Sequence, residues 1–212
     1  MKGIYLVTDP GLCREKSVEL TVIEALRAGI GCVQLREKNS GTRAFVETAI
    51  RVKASMAGFN VPLIINDRID VALACGADGV HIGQDDMPAV LARKLLGPDK
   101  IIGLSVESWE DVEAAQELDV DYLGVSPVFP TTTKTDTKTV WGLEGLSRIR
   151  TFSRHPLVAI GGLDFSNARD VILAGADSIA VVSAICGTED PYGAAKKLCD
   201  SIKPIIKKEG RK

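Results

Sequence analysis

The chain has 212 residues, with 26 Lys and Arg against 28 Asp and Glu, and its net charge of −2 offers no global basic field for gathering nucleic acid by counterion release. Hydrophobic residues make up 45% and aromatics only 5%, which predicts one domain spanning 1–212 with a large aliphatic core and a short basic, solvated tail at about 207–212. Five scattered cysteines without C-x-x-C spacing fit neither a disulfide framework nor a zinc site.

In chain order, an aliphatic run at 4–7 opens the sequence, too short for a signal-peptide core and meeting the polar turn Thr8-Asp9-Pro10-Gly11. Helical spacing follows at 18–28, then a second run at 32–35 and helical spacing at 43–57. Further runs come at 63–65, 79–82, 101–106, 122–125, 157–160 and 178–182, with helical patterns at 111–118, 167–174 and 193–206. The eight runs are continuously apolar rather than alternating, so both faces are expected to be buried, as in a parallel sheet covered by helices. Three helices end alike, in Ala28-Gly29, Cys75-Gly76-Ala77-Asp78 and Ala174-Gly175-Ala176-Asp177. A Gly past the last turn takes a left-handed conformation, and the acidic residue is expected to turn the chain into the next strand. Eight such units in about 200 residues predict an α/β fold, a single (β/α)8 TIM barrel, over an open doubly wound sheet. No run approaches the roughly 18 apolar residues of a membrane-spanning helix, and a cytoplasmic setting is expected.

In such a barrel, chemistry sits where strands end. After the second run Gln34, Arg36 and Lys38 recur at period two, which puts an amide and two cations on one side of an extended chain, suited to a diphosphate. A surface pairing with Glu37 is the competing reading. The third and fourth runs lead into Asn66-Asp67-Arg68 and Gln84-Asp85-Asp86, carboxylates on one rim of the kind that hold Mg2+ together with substrate phosphates. Asp67 could instead cap a helix starting near Ile69. His81 lies within an apolar run and reads as a hydrogen-bonded core histidine rather than a general base. Ser105 offers a hydroxyl contact, with no nucleophile signature around it. The stretch from Ser126 to Lys138, with Thr131, Thr132, Thr133 and Lys134, has the hydroxyls and ammonium groups of a phosphate clamp before a helix near Gly142. Gly161-Gly162 and Val182-Ser183 end the last two runs, where phosphate sites recur in this fold. Two separated anion-binding regions imply two phosphorylated substrates, and the chain lacks the glycine-rich cradles of nucleotide hydrolysis or dinucleotide redox chemistry.

The motifs Tyr5-Leu6-Val7-Thr8-Asp9, Gln34-Leu35-Arg36-Glu37-Lys38, Asn66-Asp67, the 79–86 segment from Gly79 to Asp86, Pro130-Thr131-Thr132-Thr133-Lys134 and Ile160-Gly161-Gly162, closing on Val182-Ser183-Ala184-Ile185, resemble those of the thiamine phosphate synthases over nearly the whole chain. The resemblance implies that Gln34, Leu35, Arg36, Glu37, Lys38, Asn66, Ser105 and Lys134 hold a hydroxymethylpyrimidine diphosphate, with Arg36, Lys38, Ser105 and Lys134 closest to the chemistry. It implies one Mg2+ per subunit on Asp67 and Asp86, with Asp85 left out. Thr131, Thr132, Thr133, Gly162, Val182 and Ser183 look like the thiazole phosphate site. The implied reaction is dissociative: pyrophosphate departs, the aminopyrimidine stabilises a methylene cation, and the thiazole nitrogen attacks it. Thiazole tautomerases share this barrel but use a histidine soon after the fifth-strand serine, and Ser105-Val106-Glu107-Ser108 has none. A non-catalytic thiamine-phosphate-binding barrel is the third reading. A homodimer is compatible with the sequence, though no motif specifies one.

Overall fold

The computed structural model describes residues 2–13, 16–131 and 140–209, of which 206–209 are described in backbone only. Eight strands form a closed, all-parallel barrel: β1 (Gly3–Val7), β2 (Cys32–Leu35), β3 (Leu63–Asn66), β4 (Gly79–Ile82), β5 (Ile101–Val106), β6 (Tyr122–Val125), β7 (Leu157–Ile160) and β8 (Ser178–Val181). Closure comes from β1 pairing with β8, Leu6 opposite Val181. The helices lie outside. The last one, Pro191–Glu209, packs on the helix Val18–Ala28 and on β1. It runs past 207, so the expected basic tail begins inside it. No helix among the described residues is long and apolar enough to cross a membrane.

Strand parity divides the interior in two. Side chains such as Leu6, Val33, Leu35, Ile65 and Leu123 point outward into one aliphatic layer beneath the helices. The opposite parity points into the barrel, where Tyr5, Cys32, Ile64, Tyr122, Val158 and Ala180 form a smaller inner core. One period-two step further along, the same inward parity carries Gln34, Asn66, His81 and Ser105. The barrel is thus packed below and polar at its C-terminal mouth.

The repeated helix ends are capped as expected: Gly29 and Gly76 are left-handed, each with its N–H returned to the last helical turn. The acidic residue does something other than turn the chain. Asp78 Oδ2 accepts from the Leu63 amide at 2.8 Å and from Lys53 Nζ at 2.7 Å. Asp177 Oδ2 likewise accepts from the Leu157 amide (2.8 Å) and Arg150 Nη1 (3.0 Å). Asp121 Oδ2 accepts from the Ile102 amide and Arg93 Nη2, both at 2.8 Å. Each clips the start of the preceding strand to a helix.

Candidate active site

The C-terminal strand ends surround a cavity of about 820 Å3. On one wall stand Gln34, Arg36 and Lys38, brought together by the period-two pattern. The Arg36 amide donates to Thr8 Oγ1 at 3.1 Å and its Nη1 lies 3.7 Å from Asp9 Oδ2, while Lys38 Nζ meets Asp67 Oδ2 at 2.6 Å. Their intervening neighbours point away. Leu35 is fully buried in the outer aliphatic layer, and Glu37 accepts from Ser40 Oγ at 2.7 Å; neither lines the cavity.

Asp67 and Asp86 leave neighbouring strands on the same rim, with Asn66 and Asp85 also lining the cavity. Asp67 does not cap the following helix, whose N-cap position is Arg68 without a side-chain bond. Instead Asp67 takes a left-handed φ of 63°, unusual for a residue with a Cβ, and its amide donates to the His81 carbonyl at 2.8 Å. Asp86 Oδ2 accepts from the Gly83 amide at 2.7 Å. Burial first, and then the nearby Asp67 carboxylate, push the Asp86 carboxyl above its usual value despite the Gly83 amide. Two opposed carboxylates of this kind suit a divalent cation. Among the described residues no group of three or more His, Cys, Asp or Glu side chains is assembled for a metal, so oxygens from a ligand or water would have to complete the shell, as is usual for Mg2+.

The far wall is built from backbone. Gly162 has φ 63°, and a Cβ there would lie 2.6 Å from the Pro130 carbonyl oxygen, so glycine alone lets the β7 loop close against the segment leading to Thr131. Thr131, Gly162, Val182 and Ser183 all face the cavity, and Ser183 opens the short helix Ser183–Cys186. Thr132, Thr133 and Lys134 lie outside the described residues.

Between the walls stand Ser105, which the sequence singled out, and two tyrosines that sequence reasoning missed. Ser105 faces the cavity, its carbonyl accepting from Gln84 Nε2 at 2.6 Å and its Oγ lying 2.9 Å from His81 Nε2. Tyr5 and Tyr122 sit beneath, both fully buried. A polar-tipped aromatic at inward parity in each aliphatic run was the available signal.

Cations thus stand on one wall, and close-packed glycine backbone on the other, of a cavity at the mouth of a (β/α)8 barrel. The family model described as thiamine monophosphate synthase matches residues 4–185, and the chain belongs to that family. It is 55% identical over 195 residues to a thiamine-phosphate synthase of Albidiferax ferrireducens, covering 92% of this chain and 89% of that one. A thiamine-phosphate synthase of Leptospira biflexa is 51% identical over 202 residues, covering 93% and 96%. Among solved structures, a thiamine phosphate pyrophosphorylase from Pyrococcus furiosus superposes with a TM-score of 0.88 at 39% identity, covering 96% of each chain.

Proposed function

We infer that the chain is a thiamine-phosphate synthase, a transferase that joins 4-amino-2-methyl-5-(diphosphooxymethyl)pyrimidine to 4-methyl-5-(2-phosphooxyethyl)thiazole, or its carboxylated precursor, releasing pyrophosphate. The observation that carries the reading beyond family membership is the convergence of Arg36, Lys38, Asp67 and Asp86 on one side of a single cavity. Arg36 and Lys38 bind the diphosphate, and their fixed charge favours the state in which the C–O bond breaks with its electron pair leaving on pyrophosphate. Lys134 joins them by family resemblance. Asp67 and Asp86 would hold Mg2+, whose charge when bound offsets that of the diphosphate.

Gln34, Asn66 and Ser105 orient the pyrimidine ring. Thr131, Gly162, Val182 and Ser183, with Thr132 and Thr133 by resemblance, hold the thiazole phosphate so that the ring nitrogen faces the methylene carbon. The nitrogen lone pair then closes the new C–N bond. Positioning and charge stabilisation suffice, and no protein nucleophile takes part. A reducing, cytoplasmic setting suits the five free cysteines.

Purified protein given both phosphorylated substrates and Mg2+ should release thiamine phosphate and pyrophosphate in equal amounts. EDTA should abolish the reaction and excess Mg2+ restore it. Absence of product, or rapid isomerisation of the thiazole without coupling, would overturn the reading.

A further inference from the structure

At the floor of the cavity, side chains from five strands join in one unbroken hydrogen-bonded chain across the barrel. Gln34 Nε2 lies 2.9 Å from Tyr5 Oη, and Tyr5 Oη lies 2.8 Å from Tyr122 Oη. Tyr122 Oη lies 3.0 Å from His81 Nδ1, and His81 Nε2 lies 2.9 Å from Ser105 Oγ. The inner wall is cut to fit these rings. A Cβ on Gly103 would overlap the Tyr122 ring and come within 2.5 Å of His81 Nδ1, and one on Gly124 would lie 2.8 Å from His81 Cε1. All five residues border the cavity, Tyr5 and Tyr122 at its floor with almost no exposed surface and Gln34 and Ser105 at the two ends of the chain.

Proton counting restricts what such a chain can do. Burial pushes both phenols well above their usual value, so each keeps its proton and donates once. A neutral imidazole also carries one proton, on one nitrogen or the other. The links are best satisfied all pointing the same way, since a reversal at Tyr5 leaves its buried O–H with only the soft Cys32 sulfur as acceptor, and one at Tyr122 leaves that buried O–H with no acceptor in the chain. If Gln34 donates, Tyr5 donates to Tyr122, Tyr122 to His81 Nδ1, and His81 Nε2–H to Ser105, whose own proton is left for the cavity. If Gln34 accepts, every link reverses. In both cases the ends are opposite in character: one offers an acceptor to the cavity and the other a donor. That is the complement of an aminopyrimidine, whose amino group donates and whose ring nitrogens accept.

We propose that Tyr5, Tyr122 and His81 are positioning residues whose chain, led by the Gln34 amide, sets His81 as the Nε2–H tautomer and presents Ser105 as a donor and Gln34 as an acceptor to the pyrimidine. The ligand rests on the proposed function above; the direction of the chain does not. It is therefore tested first without substrate. The protein has two histidines, and the His155→Gln variant assigns the signals in a long-range 1H–15N spectrum of 15N-histidine-labelled protein.

Wild-type His81 should carry its proton on Nε2. Gln34→Glu, examined with the carboxyl ionised, replaces the leading donor by an acceptor and should move the His81 proton to Nδ1 across two intervening tyrosines. A proton on Nδ1 or on both nitrogens in the wild type would overturn the proposal, as would an unchanged tautomer in Gln34→Glu. Tyr122→Phe, which cuts the chain, should lower kcat/KM for the pyrimidine diphosphate roughly tenfold while leaving KM for the thiazole phosphate unchanged. Equal losses for both substrates would reduce Tyr122 to a packing role and overturn it.

Discussion

At the N-terminal ends of the strands, Asp78, Asp121 and Asp177 each accept from a strand amide and from a Lys or Arg on a helix. At the C-terminal ends, Asp67 and Asp86 crowd one another, and the Asp86 carboxyl is pushed up by burial and by its neighbour. At the lower rim each carboxylate is matched by a strand amide and a helix cation, whereas at the upper rim Asp67 pairs with Lys38 and Asp86, beside it, accepts from the Gly83 amide and faces a second carboxylate. The difference follows from geometry: the lower rim is where helix ends meet strand starts and cations are at hand, whereas the upper rim opens to a cavity.

If this division is right, substitutions at the two rims should separate activity from stability. Removing the upper-rim guanidinium in Arg36→Ala should lower kcat/KM by roughly 10²- to 10³-fold, the scale of losing a charge-stabilising donor, with little change in Tm. A normal turnover rate would break the comparison. Asp177→Ala takes away the acceptor shared by the Leu157 amide and Arg150 and should cost about 1–3 kcal/mol. For a chain of this size that corresponds to a fall of roughly 2–12 °C in the calorimetric Tm, and kcat/KM at a temperature where the variant is folded should not change.

The smallest effect is a pH dependence at the lower rim. Burial alone would raise Asp78, but Lys53, the Leu63 amide and Lys100 hold its carboxyl below the usual value. A depressed folded value gives stability that is complete above the unfolded carboxylate range, about pH 3.9, and is lost as pH falls through the folded value. The gap in urea midpoint between wild type and Asp78→Asn should therefore be constant near neutrality and shrink below about pH 4. A gap that widens in acid would contradict the matched-charge account of this rim.

Much of the barrel was legible because a parallel strand covered on both faces must be apolar throughout, as in Leu63-Ile64-Ile65. The Gln34, Arg36 and Lys38 wall was legible for a related reason: inward parity persists past the strand end. The helix Ala89–Leu96 escaped notice because its large residues Val90, Leu91 and Leu95 are exposed while Ala89 and Ala92 are buried, which inverts the amphipathic signal. Pro10–Cys13 and Ser183–Cys186 span about one turn each, too little for a period. The helix at Trp109 starts two residues before the expected 111 because Ser108 and Asp111 form a reciprocal cap. In the site, Leu35 and Glu37 came with a contiguous motif, but strand alternation turns both away from the cavity. Tyr5 and Tyr122 meet across 117 residues of sequence, a contact that only barrel closure creates.

Asp86→Asn tests the central claim most directly, because it removes the crowded charge while an amide oxygen can keep the bond to the Gly83 N–H. Measured on one preparation, Tm in EDTA should equal or exceed that of the wild type, and Mg2+-dependent formation of thiamine phosphate should fall by roughly 10²-fold or more. A lower Tm with an undiminished rate would contradict the account, assigning Asp86 to the fold rather than to the ligand.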